Sequence, residues 1–200
     1  MKRHQLVLVL TLFSGAITGC SQDTTPQVPT IQSETYEPCC GDQPVEQSEY
    51  GGRIYIPNVF TPNGDGINDF FVPSINDSVL QILTYAIFTP VGDTGLFHRE
   101  YFDFNHIDYF AWDGVRYDTD STLHKGLFKY EMWCQILIDS TDGNFQWTKK
   151  RFTGYACSIV CDPEATVFQT KEGCYFPSQA SASGGRVDAT QPSGEEACFK

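Results

Sequence analysis

The side-chain alternation along this chain predicts an all-β sandwich, on three observations. Between Gly126 and Ile138, the residues Phe128, Tyr130, Met132, Cys134, Ile136 and Ile138 fall on one face, and Lys129, Glu131 and Gln135 fall on the other. That is a period of two, the signature of a strand, and not the 3.6 of a helix. Asp-Gly pairs punctuate the chain: Asp113-Gly114 follows Trp112, and Asp142-Gly143 has the form of a two-residue hairpin turn. No segment shows the apolar spacing of an amphipathic helix. Short strands separated by regular turns describe two packed sheets.

The elements follow in order. Lys2 and Arg3 precede an apolar run from Leu6 to Phe13, interrupted by Thr11, and then the small residues Ser14, Gly15 and Ala16. Residues 1–19 have the layout of a secretory signal peptide, too short in its apolar part to span a bilayer. They end in Ile17-Thr18-Gly19-Cys20, which resembles a bacterial lipobox, with Cys20 the lipidated residue and first residue of the mature chain. Residues 20–50 hold no Lys or Arg and carry Pro26, Pro29, Pro38 and Pro44 among polar residues, the composition of an extended tether. From 51 to 161, aromatic and β-branched residues alternate with polar ones. Strands are expected at Arg53–Phe60, Asp69–Val72, Val79–Phe88, Gly95–Phe102, Gly126–Ile138 and Phe145–Tyr155. From 162 to 200 the pattern fades into a loosely ordered, cysteine-containing tail.

Charge narrows the function. Thirteen Lys and Arg stand against 25 Asp and Glu, a formal net charge of −12. A nucleic-acid reader needs a basic face to neutralise phosphates, so none is expected as a partner. Cleavage removes Lys2 and Arg3 and no acid, which leaves the mature body more acidic still. An acidic body is repelled by anionic lipid, so the acyl chains on Cys20 are expected to do the holding.

The stretch Ile56-Pro57-Asn58-Val59-Phe60-Thr61-Pro62-Asn63-Gly64-Asp65-Gly66-Ile67-Asn68-Asp69-Phe70 resembles the opening of the gliding-motility-associated C-terminal domain, the type B sorting domain of type IX secretion. The resemblance continues through Tyr85-Ala86-Ile87-Phe88, Phe110-Ala111-Trp112-Asp113-Gly114, Gly126-Leu127-Phe128-Lys129-Tyr130 and Thr153-Gly154-Tyr155, over roughly 100 residues. It implies an immunoglobulin-like β-sandwich. The basic residue that closes the family's last strand is replaced here by Cys157-Ser158-Ile159-Val160-Cys161, and about 40 residues follow. The resemblance therefore implies a domain reused on an outer-membrane lipoprotein at the cell surface. There it binds another envelope or surface protein, with links to gliding motility or type IX secretion. Secretion cargo that still uses the sandwich as its address, and a glycan-binding or glycan-active surface protein, are the alternatives.

Several residues carry candidate chemistry. Asn63, Asp65, Asn68 and Asp69 place four oxygen-bearing side chains around Gly64 and Gly66, a spacing that suits Ca²⁺ and resembles thrombospondin type 3 loops. Turn chemistry, with the same side chains accepting backbone N–H groups, is the other reading. After lipidation of Cys20, seven cysteines remain in an exported chain. Cys39, Cys40, Cys157, Cys161, Cys174 and Cys198 are the disulfide candidates, with fifteen possible connectivities. A hairpin turning at Asp142-Gly143 sets Cys134 opposite Arg151 on the apolar face, so Cys134 is expected to be a buried free thiol. Zinc is the competing use of Cys157 and Cys161, poorly matched in spacing. Ser78, Ser121 and Ser140, each following Asp, resemble O-glycosylation acceptors, as does Asp23-Thr24-Thr25. Tyr101, Phe102, Phe104, Tyr109 and Phe110 form either a binding rim or part of the core. No spacing of Asp103, Asp108, Asp113 or of the histidines supplies nucleophile, base and orienter together, so no enzymatic activity is expected.

Overall fold

The computed structural model describes residues 36, 38–41, 45–116, 122–139, 145–161 and 172–198. The chain is an all-β sandwich of two sheets. The smaller sheet holds β1 (Glu46–Glu49), β2 (Gly52–Tyr55) and β4 (Ser74–Ile75), in the order β1-β2-β4. The larger holds β3 (Val59–Phe60), β5 (Val79–Phe88), β6 (Gly95–Glu100), β7 (Gly126–Asp139) and β8 (Gln146–Ser158), in the order β3-β8-β7-β5-β6. All pairs are antiparallel except β3 with β8.

The inward face of β7 supplies Phe128, Tyr130, Met132, Cys134 and Ile136, all buried. Ile82, Tyr85 and Ile87 of β5 join them, with Ile54 of β2 from the facing sheet. Phe60, Phe71, Trp112 and Phe128 interlock at the centre: the Phe71–Phe128 and Trp112–Phe128 ring centroids both lie 4.9 Å apart in edge-on contact. Truncating such a ring to Ala typically costs about 3–5 kcal/mol.

The structure corrects four expectations. The strand expected over Arg53–Phe60 is two strands, because Pro57 between them has no N–H to give a ladder. Its second part, β3, crosses to the larger sheet. Asp69–Val72 is not a strand; Phe71 makes a single bridge to Trp112. Ile138 is exposed and not on the core face. Cys134 lies opposite Lys150, not Arg151. The last two share one cause. Asp139 pairs with Gln146 as a two-residue turn at Asp142-Gly143 requires, but Leu137 pairs with Trp147, so Ile138 is an extra residue. This β-bulge shifts all pairings from Leu137 down to Gly126 by one position and brings Phe152, not Thr153, beneath Met132 on the core side. The Asp142-Gly143 turn itself lies outside the described residues.

Strand β1 begins inside the span 20–50 read as a tether, and Tyr36 and Cys39 are buried just before it. Three disulfides join Cys39 to Cys157, Cys40 to Cys174 and Cys161 to Cys198, and Cys134 is a buried free thiol. Tyr36, Cys39, Val59, Cys157, Ile159, Cys174 and Phe176 make a second small core around the first two bridges. The described part of the 162–200 tail has little regular structure, the short turns Pro177–Gln179 and Glu196–Cys198. It is nonetheless tied down: Gly184 and Gly185 approach the backbone of Ile75 and Arg53 so closely that a Cβ at either would clash.

Candidate functional site

The loop Thr61–Asp69 is built by its own side chains. One carboxylate oxygen of Asp69 accepts the backbone N–H of Asn63 (3.1 Å) and of Gly64 (2.6 Å), and the other accepts that of Gly66 (2.7 Å). Asp65 accepts the Ile67 N–H at 2.8 Å, and Asn63 accepts that of Asp65 at 3.1 Å. The structure thus brings Asn63, Asp65 and Asp69 together and spends their oxygens on the turn. Asn68 points elsewhere: its amide donates to the Ser193 carbonyl (2.8 Å) and to Glu195 (3.2 Å), and its oxygen accepts the Ser178 N–H (2.9 Å). Three of the four calcium candidates share a cluster and the fourth is committed to the tail.

Glu195 is the residue that fastens the tail to this loop. It is buried, and its carboxylate accepts the Thr61 hydroxyl as well as the Asn68 amide. Burial pushes its carboxyl above the usual range, and the hydrogen bonds only partly offset that; Asp65 and Asp69 push in the same upward direction. The thiol of Cys198, which could have formed a metal-binding group with Cys161 and Glu195, is joined to Cys161.

A second motif packs against the same loop. Trp112 is fully buried and donates its indole N–H to the Val115 carbonyl at 2.8 Å. Asp113 accepts the Val115 N–H, and Gly114 follows at φ +81°, with Pro62 where a Cβ would stand. His124 lies beside Trp112, and its Nε2–H donates to the Leu127 carbonyl; burial lowers its pKa.

The other sequence candidates separate. Of the proposed aromatic rim, Phe102 is core and Phe110 packs against it, while Tyr101 and Tyr109 are exposed and Phe104 marginally so. Asp103 bonds Asn105 and His106, and these local bonds hold its carboxyl below the usual range. Ser78 is half-buried in a turn where its carbonyl accepts the Leu137 N–H. Cys20, Ser121 and Ser140 lie outside the described residues.

Sequence reasoning missed the outward face of the larger sheet. Trp133, Trp147 and Tyr155 stand on it, 38%, 50% and 40% exposed. Trp133 lies opposite Arg151, Tyr155 opposite Lys129, Trp147 opposite Leu137, and Gln135 opposite Lys149. Glu131 braces the centre: one of its oxygens accepts the Trp133 indole N–H at 2.9 Å and the other the Arg151 guanidinium. The Arg151 bond holds the Glu131 carboxyl below the usual range. Glu100 and Thr84 continue the Trp133 row across the sheet. The available signal was Trp133 itself, a large aromatic on the polar side of a period-two strand.

Fold and sites together define a disulfide-stapled, all-β sandwich. No family model, curated protein or solved structure matches the chain. Among the described residues, no helix is long and apolar enough to cross a membrane.

Proposed function

We propose that this protein is a lipoprotein of the outer membrane, anchored through Cys20, whose immunoglobulin-like sandwich binds another component of the cell envelope or surface. In this reading the domain is of the gliding-motility-associated C-terminal type, reused for binding and not for catalysis. The observation that carries the proposal is the order lipobox, tether, pinned sandwich. The bond from Cys39 to Cys157 fastens the segment after the tether to one end of β8, and that from Cys40 to Cys174 fastens it to the tail. The strand then runs from Cys157 back to Gln146, about 36 Å at the rise of an extended chain. The anchor thus enters at one end of the body, and the β7–β8 hairpin end projects away from it.

The meeting of the Thr61-Pro62-Asn63-Gly64 and Trp112-Asp113-Gly114 segments around Pro62 supports the domain assignment, since both belong to the resemblance. The test combines two measurements. Mass spectrometry of the processed protein should find Cys20 acylated, and Cys20→Ala should move the chain from the membrane to the soluble fraction. Crosslinking in intact cells followed by detergent extraction should recover a discrete envelope partner. An unacylated amino terminus, or no crosslinked partner, overturns the proposal.

A further inference from the structure

We propose that the outward face of the larger sheet is a binding site for an extended acidic polysaccharide. Trp133, Trp147 and Tyr155 would be its stacking platforms, and Lys149 and Arg151 its carboxylate contacts. The inference rests on the envelope-binding reading above and names the ligand class and the surface.

The geometry comes first. Trp147 stands four residues from Arg151 on β8, Arg151 faces Trp133 on β7, and Tyr155 stands four residues further on. At the rise of an extended strand, successive aromatics are about 13–14 Å apart along the hairpin, so the row spans about 27 Å. That length suits several linked sugars and not a single one. An aromatic face carries negative quadrupolar charge and apolar area, which matches the weakly positive C–H face of a pyranose ring. Trp133 is already oriented for this, because Glu131 holds its indole N–H, so less freedom is lost when a ligand stacks on it.

Charge selects the ligand. The chain carries a net charge of −12, yet on the β7–β8 part of this face Lys129, Lys149 and Arg151 stand with a single acid, Glu131, while Glu100 lies on β6 at the far edge of the sheet. Lys129 pairs with Asp93, and Arg151 with Glu131; Lys149 is exposed, with no ion pair to another described residue. A protein partner is a poorer fit, because the centres of protein interfaces are depleted of Lys and Glu, whereas here Lys129, Glu131 and Lys149 lie among the aromatic rings. A sugar polymer offers hydroxyls and carboxylates to those same charges while its C–H faces cover the rings.

The experiment uses the full mature protein in detergent, titrated with polygalacturonate as the acidic probe and dextran as the neutral one. Binding is followed by calorimetry and by tryptophan fluorescence. Of the three tryptophans, Trp112 is fully buried, so the fluorescence change should come from Trp133 and Trp147. Polygalacturonate should bind and dextran should not. Trp133→Ala and Trp147→Ala should each weaken binding about five- to tenfold, the scale of one aromatic contact. Trp133→Tyr should restore most of the loss. Lys149→Gln should weaken binding and flatten its salt dependence, and Tyr109→Ala, away from this face, should change nothing. An unchanged far-ultraviolet dichroism spectrum and a cooperative melt show that each variant is folded.

Absence of binding to polygalacturonate, equal binding to dextran, or retention of affinity in the Trp133→Ala/Trp147→Ala double variant overturns the inference. So does concentration-dependent self-association abolished by that double variant, which would assign the face to a second copy. If acylation and a crosslinked envelope partner persist while polymer binding fails, only this inference falls. If polymer binding holds while Cys20 is unacylated, the anchor reading falls instead.

Discussion

Thr61 and Glu195, 134 residues apart in sequence, are joined by a hydrogen bond in which the Thr61 hydroxyl donates to a buried carboxylate. The same carboxylate accepts the Asn68 amide. The first motif of the sandwich and the last described turn of the tail are therefore one unit. Replacing Glu195 with Ala strands two buried donors, and the expected loss is about 1–3 kcal/mol in denaturant unfolding. Glu195→Gln keeps an acceptor for both and should lose far less.

The pH dependence of that contact has a definite sign. Burial raises the folded-state pKa of Glu195 above the ordinary glutamate value of 4.5, so the folded protein holds this proton more tightly than the unfolded chain. The stabilisation from protonation is present below pH 4.5 and lost as pH rises through the raised folded-state pKa. Glu195→Gln removes the loss. Its melting temperature relative to the parent should therefore climb as pH rises above 4.5, and a flat difference would contradict the assignment.

Cys134 should be chemically silent. Burial pushes its thiol up to about 12, which leaves almost no thiolate at neutral pH. Iodoacetamide at pH 8 should label no cysteine in the native protein and one in guanidinium, read by intact mass without reductant. Labelling of the native protein would mean that the core opens or that another cysteine is free.

The disulfides staple long loops. Cys39–Cys157 and Cys40–Cys174 enclose 118- and 134-residue separations. Converting both members of either pair to Ala should lower unfolding free energy by about 2–5 kcal/mol. Peptide mapping of a non-reduced digest should recover these pairs and Cys161–Cys198.

The bulge at Ile138 makes a paired prediction. Deleting Ile138 leaves Leu137 against Trp147 and Asp139 against Gln146 in an uninterrupted ladder, so the melting temperature should change little. Deleting Lys129 instead shifts every residue up to the bulge by one, turning Tyr130, Met132, Cys134 and Ile136 outward and Glu131, Trp133 and Gln135 inward. That variant should fail to melt cooperatively.

Gly114 is held by conformation and space. At φ +81°, with Pro62 Cγ 2.8 Å from where a Cβ would lie, Gly114→Ala should cost at least about 1–3 kcal/mol. Thermal unfolding beside Gly95→Ala, where the space is open, separates this effect from a general cost of losing glycine.

The layers and the inward face of the long strand are legible in the amino-acid order alone. Val79–Phe88 forms with the bounds its pattern predicts, and Phe128, Tyr130, Met132, Cys134 and Ile136 lie inward as their alternation requires. Periodicity is a local property, written in neighbouring residues, and it can be read without knowing the partner strand. The pairing of six cysteines, the one-residue slip at Ile138, and the tail's hold on Thr61 and Asn68 emerge only once the chain is folded. Each depends on which distant segment arrives alongside, and no short window of residues encodes that. The outer face of Trp133, Trp147 and Tyr155 belongs to the same class: three separate aromatics become one row only when β7 and β8 are laid in register.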